Sequence, residues 1–295
     1  MKGLAAVLLV LLTGGSYARF PLAERIRALL AEQMGEVKHL EVRLHTLSPA
    51  QKIVGDLEEA TIALRGFDAS RLPVKSLLPH PKERILKGRI RRLRVEGREA
   101  KVQDFLFSSL TLEVTDLRYD LLGLLARKEV LLTDFGTSRV EARLGEEELL
   151  RYAREKLPSI EDIALDFQGG SPGRVVVRGK ATLGLLSLDL TLTTGLKVVE
   201  GHRVELHQPH LEAGGIVLPP AMAERSLASI NPILDLHTLL EPDTPLVLDR
   251  IEITDNEVIL LGHLEFALAA SGSGKEGNHA WAYRALRRAA QADSP

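Results

Sequence analysis

Apolar and polar residues alternate with a period of two along most of this chain, and that alternation constrains the fold more than any other feature. The clearest case is Leu186-Ser187-Leu188-Asp189-Leu190-Thr191-Leu192-Thr193, with four leucines on one side and four polar residues on the other. Successive side chains of a strand point to opposite faces, so this pattern predicts a β-strand with one dry face. The same alternation runs through Leu40–Leu44, Ile62–Arg65, Leu93–Glu96, Leu110–Thr115 and Val140–Leu144. It returns in Ile163–Phe167, Arg174–Arg178, Val204–His207 and Arg250–Thr254, and an Asp255-Asn256 turn then leads into Val258–Leu261. Parallel strands covered on both faces read as continuous apolar runs, so clean alternation predicts antiparallel sheet with one wet face.

Helices are fewer. Phe20, Leu22, Ile26, Leu29, Leu30 and Met34 fall on one helical stripe, and Gly35 is placed to end it. Glu146 to Leu157 forms a second helix, with Leu149, Leu150, Ala153 and Leu157 on one face. Its first turn holds Glu146, Glu147 and Glu148, where the helix dipole favours negative charge, and Pro158 stops it. A third opens at Pro219-Pro220 and runs to about Ile230, before Asn231-Pro232. The fold class expected is therefore α+β. Two or three short helices cover too little of so many strands if the sheet is flat. The expectation is a strongly curved antiparallel sheet wrapped around a few helices.

The chain ends carry their own signals. Met1-Lys2-Gly3 precedes an apolar run from Leu4 to Leu12, and Ser16-Tyr17-Ala18 supplies a small-x-small site. That is the form of an export signal over residues 1–18. The run is too short for a hydrocarbon core that needs about 20 residues. The expected organisation is a signal peptide over 1–18, one domain over 19–270, and a tail over 271–295. The tail begins as a Gly/Ser-rich linker and ends in a basic stretch around Trp281 and Arg284–Arg288. The location expected is the periplasm or cell envelope.

Composition narrows the function. There is no cysteine, so disulfides, thiolate metal sites and cysteine nucleophiles are excluded. A formal charge of −2 gives no argument for nucleic-acid binding, and an aromatic content of 4% leaves few faces on which bases could stack. No nucleophile elbow, Walker loop, HExxH or dinucleotide fingerprint occurs. The reading is therefore non-catalytic, with no cofactor and no metal. His207-Gln208-Pro209-His210 reads as a pair of turn histidines, and Asp56–Glu59 as a solvated strand edge or turn.

Two sets of residues remain as candidate sites. The dry strand faces offer more aliphatic surface than the helices can cover, which suits an elongated apolar groove for acyl chains. Its expected lining is Val175, Val177, Leu186, Leu188, Leu190, Leu192, Leu248, Ile251 and Ile253. The second set is basic. Lys82, Arg84, Lys87, Arg89, Arg91 and Arg92 stand against Glu83 alone and are a candidate contact for an anionic membrane surface.

Three stretches carry a family resemblance. They are Leu110–Asp120; Arg139–Leu144 feeding the helix that starts at Glu146; and Gly214-Gly215-Ile216-Val217-Leu218-Pro219-Pro220 through Asn231–Leu236 to the closing strands at Asp255–Gly262. Together they resemble the LmeA-like phospholipid-binding proteins of bacteria, over roughly residues 53–266. The resemblance implies a curved-sheet fold similar to tubular lipid-binding (TULIP) modules, residence in the cell envelope, and phospholipid as partner. It supplies no catalytic residues. The function expected is binding of phospholipid or another acyl lipid, in transfer or envelope maintenance. The alternative is a structural envelope protein with a fully packed core.

Overall fold

A computed structural model of the chain describes residues 21–48, 51, 55–69, 87–102, 105–121, 132–183, 186–228, 230–239 and 246–265. The expected signal peptide and the tail over 271–295 lie outside them. The elements run α1 (Pro21–Met34), β1 (His39–His45), β2 (Asp56–Asp68), β3 (Lys87–Val102), β4 (Phe105–Asp120), β5 (Leu132–Asp134) and β6 (Ser138–Gly145). They continue with α2 (Glu146–Lys156), β7 (Ile160–Gln168), β8 (Arg174–Leu183), β9 (Leu186–Val199), β10 (Arg203–Ala213) and β11 (Ile216–Val217). The last are α3 (Pro220–Leu227), β12 (Leu234–Asp235), α4 (Leu236–Leu239), β13 (Leu246–Ile253) and β14 (Glu257–Leu264).

The class is α+β and sheet-rich. The strands divide between two sheets where one had been expected. Sheet I has the order β1-β2-β3-β4-β6-β14-β13, with β5 added to β4; sheet II has the order β11-β10-β9-β8-β7, with β12 added to β10. Two sheets answer the problem of cover that helices alone could not. Leu165, Val175 and Val204 of sheet II share one buried cluster with Phe105, Leu144, Val258 and Leu260 of sheet I.

One pairing departs from the antiparallel expectation. β2 and β3 run parallel from Asp56↔Arg89 to Asp68↔Lys101. Alternation reports which face of a strand is dry, and says nothing about the direction of its neighbour. A parallel pair needs a return connection of roughly a dozen residues or more, and residues 69–86 provide that length here.

Of the expected stripe on α1, Met34 is buried and Leu30 packs against the shared core. Ile26 packs against a second cluster built on Leu57, Ile90, Leu117 and Tyr119. Gly35 follows the helix with φ +70°, the left-handed geometry that glycine adopts without a Cβ penalty. Asp56–Glu59 open β2 and are not a turn; they run beside β3, and pairing with β1 on the other side begins only at Glu59. His207 and His210 also lie in a strand. They are both exposed, and they flank a bulge in β10 at which Gln208 takes φ +50°.

Candidate functional site

The local sequence builds α2 as an amphipathic cover. Three glutamates occupy its first turn, and Arg154 and Lys156 its last, so both ends complement the helix dipole. Leu149, Tyr152 and Ala153, spaced by three and four residues, present one face. No side chain of the helix is fully buried. The helix packs on β7, β4 and β6.

Beneath α2 is an apolar chamber. Its floor is the dry face of sheet II, and the strand register sets its rows. Leu165 lies opposite Val177, which lies opposite Leu192. Val175 faces Thr194 in the next row, and Leu196 faces Leu206 beyond it. Phe105, Leu144, Val258 and Leu260 bring sheet I to the chamber, and Ile230, Ile233 and Leu234 add a further wall. The free volume inside is about 100 Å³.

Polar groups are few. Thr194 is 2% exposed, and its hydroxyl lies within hydrogen-bonding range of the Gly195 and His207 carbonyl oxygens, at 2.9 and 3.2 Å. It is therefore satisfied by backbone and makes no demand on a ligand. The Tyr152 phenol donates to the Ile233 carbonyl at 3.0 Å, and its ring stacks on Phe105 at 4.4 Å. Lys156, exposed on the last turn of α2, also lines the chamber, with its Nζ 5.6 Å from the Tyr152 ring centre.

The residues singled out from sequence are distributed as follows. Val175, Val177 and Leu192 line the chamber. Leu188 and Leu190 continue the same face of β9, half-buried, beside the small residues Ala181, Gly179 and Ala213. Leu186 begins β9, and its side chain is outside the described set. Leu248 and Ile253 belong to the core cluster shared by the two sheets, with Ile251 packed against it, and none of the three lines the chamber.

Of the basic run, Lys82 and Arg84 fall outside the described residues. Lys87, Arg89, Arg91 and Arg92 are exposed on β3. Arg89 Nε donates to Asp116 at 2.5 Å, and Arg91 lies 3.3 Å from Glu58. None of the four borders the chamber.

Several lining residues were not singled out from sequence. Leu149, Ala153 and Leu157 were legible as a helix face, but nothing local says that the face covers a chamber. Thr194 was findable, because it continues the spacing of Leu190 and Leu192 on β9. Ile230 and Ile233 flank Asn231-Pro232 and follow no period. Three metal-ligating side chains also converge among the described residues, His202, Asp235 and His237, and they lie outside the chamber lining.

Residues 81–263 match the model of a protein family described as LmeA-like phospholipid-binding. No curated protein and no solved structure matches the chain.

Proposed function

The chain belongs to the LmeA-like phospholipid-binding family, and from that membership we propose that it holds an acyl chain of a phospholipid in the chamber between α2 and sheet II. The observation that carries the reading is the lining: apart from Thr194, Tyr152 and Lys156, every residue in it is aliphatic or Phe105. Burial of each methylene there is worth about 0.8 kcal/mol. Lys156 places a cation at the solvent-exposed part of the chamber lining, and on this reading it meets the lipid phosphate. The protein acts as a non-catalytic carrier in the envelope, exported by its N-terminal segment, with a fold similar to tubular lipid-binding modules. The basic face of β3 adds contact with an anionic membrane.

The free volume is below the roughly 300–1,000 Å³ of pockets that hold small molecules. Lipid entry on this reading therefore moves α2 outward. The helix suits that motion, because it has no fully buried side chain to extract. The same small volume favours the second reading, a structural envelope protein with a packed core.

One experiment separates the two. The mature protein is purified and extracted with organic solvent for mass spectrometry, and a fluorescent phospholipid is titrated into the delipidated protein. Stoichiometric phospholipid and saturable binding are expected of a carrier. No extracted lipid together with no binding leaves the structural reading.

A further inference from the structure

The strongest feature outside the chamber is the convergence of His202, Asp235 and His237. His202 sits where the β9–β10 turn enters β10, and Asp235 and His237 lie on the β12–α4 segment that docks against it. One ligand atom from each lies within 4.8 Å of the other two. The two segments are already joined by backbone. Arg203 pairs with Asp235 and Val204 with Leu234 in register, and the Leu236 N–H donates to the His202 carbonyl at 2.9 Å.

The hydrogen bonds around His202 and Asp235 set these two side chains up as ligands. His202 Nδ1 is 2.9 Å from the Glu200 carbonyl oxygen. A carbonyl only accepts, so Nδ1 carries the hydrogen and the Nε2 lone pair is left for a metal. A backbone carbonyl holding the second nitrogen in this way is the usual support of a metal-binding histidine. Asp235 Oδ1 accepts the His237 backbone N–H at 3.0 Å, which orients the carboxylate and leaves its second oxygen. The imidazoles of His202 and His237 stack at 3.8 Å with 13° between their planes. The His202 side chain is only 18% exposed, while His237 is exposed.

We propose that His202, Asp235 and His237 bind a divalent transition-metal ion of the zinc class. Two imidazole nitrogens and one carboxylate oxygen are a donor set for such an ion, with water in the fourth position. The Glu200 carboxylate, with Oε2 3.8 Å from His202 Nε2, lies close enough to replace that water. Arg203 is the nearby cation, and it pairs with the same Glu200 carboxylate. As the ion binds, the His237 ring turns out of the parallel stack, so that its lone pair converges with that of His202. The ion then pins the β12–α4 segment to the β9–β10 turn. Ile233 and Leu234, just before Asp235, line the chamber, so the ion would also fix one of its walls. The site itself stands whether or not the chamber takes lipid.

The test uses the mature protein with any affinity tag removed. Zn²⁺ is titrated by calorimetry, and Co²⁺ is followed by its visible absorption, whose intensity reports four-coordinate geometry. Wild type is compared with His237→Ala, Asp235→Asn and His202→Ala, with melting curves to verify folding. Because His237 is exposed, its replacement leaves the fold intact if His202→Ala does not. One Zn²⁺ per chain is expected, with affinity lowered about tenfold or more in each folded variant. The four-coordinate Co²⁺ band should be lost in His237→Ala. Absence of one-to-one binding by wild type, or affinity in His237→Ala and Asp235→Asn within about twofold of wild type, overturns the proposal.

Discussion

The phenol of Tyr152 donates a 3.0 Å hydrogen bond to the carbonyl oxygen of Ile233, closing α2 onto the segment between α3 and β12. Both residues line the chamber, and they are 81 positions apart in sequence. A net hydrogen bond of this kind contributes about 1 kcal/mol. Tyr152→Phe keeps the ring on Phe105 and removes only that bond. A urea melt should show a loss of about 1 kcal/mol, and association of a fluorescent phospholipid should quicken by up to about fivefold. Lower stability with an unchanged association rate would show that α2 does not gate entry.

Val177 stands in the centre of the chamber floor, between Leu165 and Leu192. Val177→Phe places a ring where an acyl chain would lie. Overpacking of this size costs about 1–3 kcal/mol in stability, which leaves a folded protein if the parent is ordinarily stable. Displacing two methylenes of lipid costs about 1.6 kcal/mol, so phospholipid affinity should fall about tenfold or more. Undiminished affinity in a folded Val177→Phe protein would put the lipid elsewhere.

Lys156 is the cation of the chamber lining and is exposed to solvent. Lys156→Glu should weaken binding of an anionic phospholipid severalfold while changing that of a zwitterionic one with the same acyl chains much less. The difference between the two lipids should shrink as salt is raised, because exposed charges are screened over about 10 Å at 0.1 M. Equal effects on both lipids in parallel titrations would remove Lys156 from the headgroup site.

Tyr119 gives a pH dependence with a definite sign. Its hydroxyl donates to the Gly55 carbonyl at 3.1 Å. Burial first, and then the nearby Asp56 charge, push the phenol well above its ordinary value. Below about pH 10 the folded and unfolded chains both keep the proton. Above it the unfolded chain loses the proton first, so stability falls as pH rises through the raised folded value. Absorbance at ~295 nm should show one phenolate that appears only with alkaline unfolding. Tyr119→Phe should be less stable at neutral pH by about 1 kcal/mol and show a shallower alkaline decline. An unchanged alkaline slope would show that Tyr119 does not control it.

Much of the fold was legible because its elements are periodic. The face of β9 that carries Leu188, Leu190 and Leu192 is written in every second residue, and the chamber floor uses that face. The helix face of Leu149, Ala153 and Leu157 follows from spacings of four. The placement of Leu248 and Ile253 was not legible. Ile251 and Ile253 alternate as cleanly as Val175 and Val177, and Leu248 is set off from them by the bulge between Leu248 and Arg250, but all three belong to sheet I, where they pack in the core instead of lining the chamber. Alternation gives the dry side of a strand and is silent on what the dry side meets.

By itself the sequence determined most of the long strands, their wet and dry faces, the C-terminal end of α1, the start and stop of α2, and the absence of cysteine chemistry. Each is set by residues a few positions apart. Only the tertiary structure decided that the strands form two sheets, that β2 and β3 run parallel, and that Tyr152 reaches Ile233. It alone brought His202 beside Asp235 and His237. These depend on pairing between segments tens of residues apart, where the free energy lies in packing and register and leaves no mark on local periodicity.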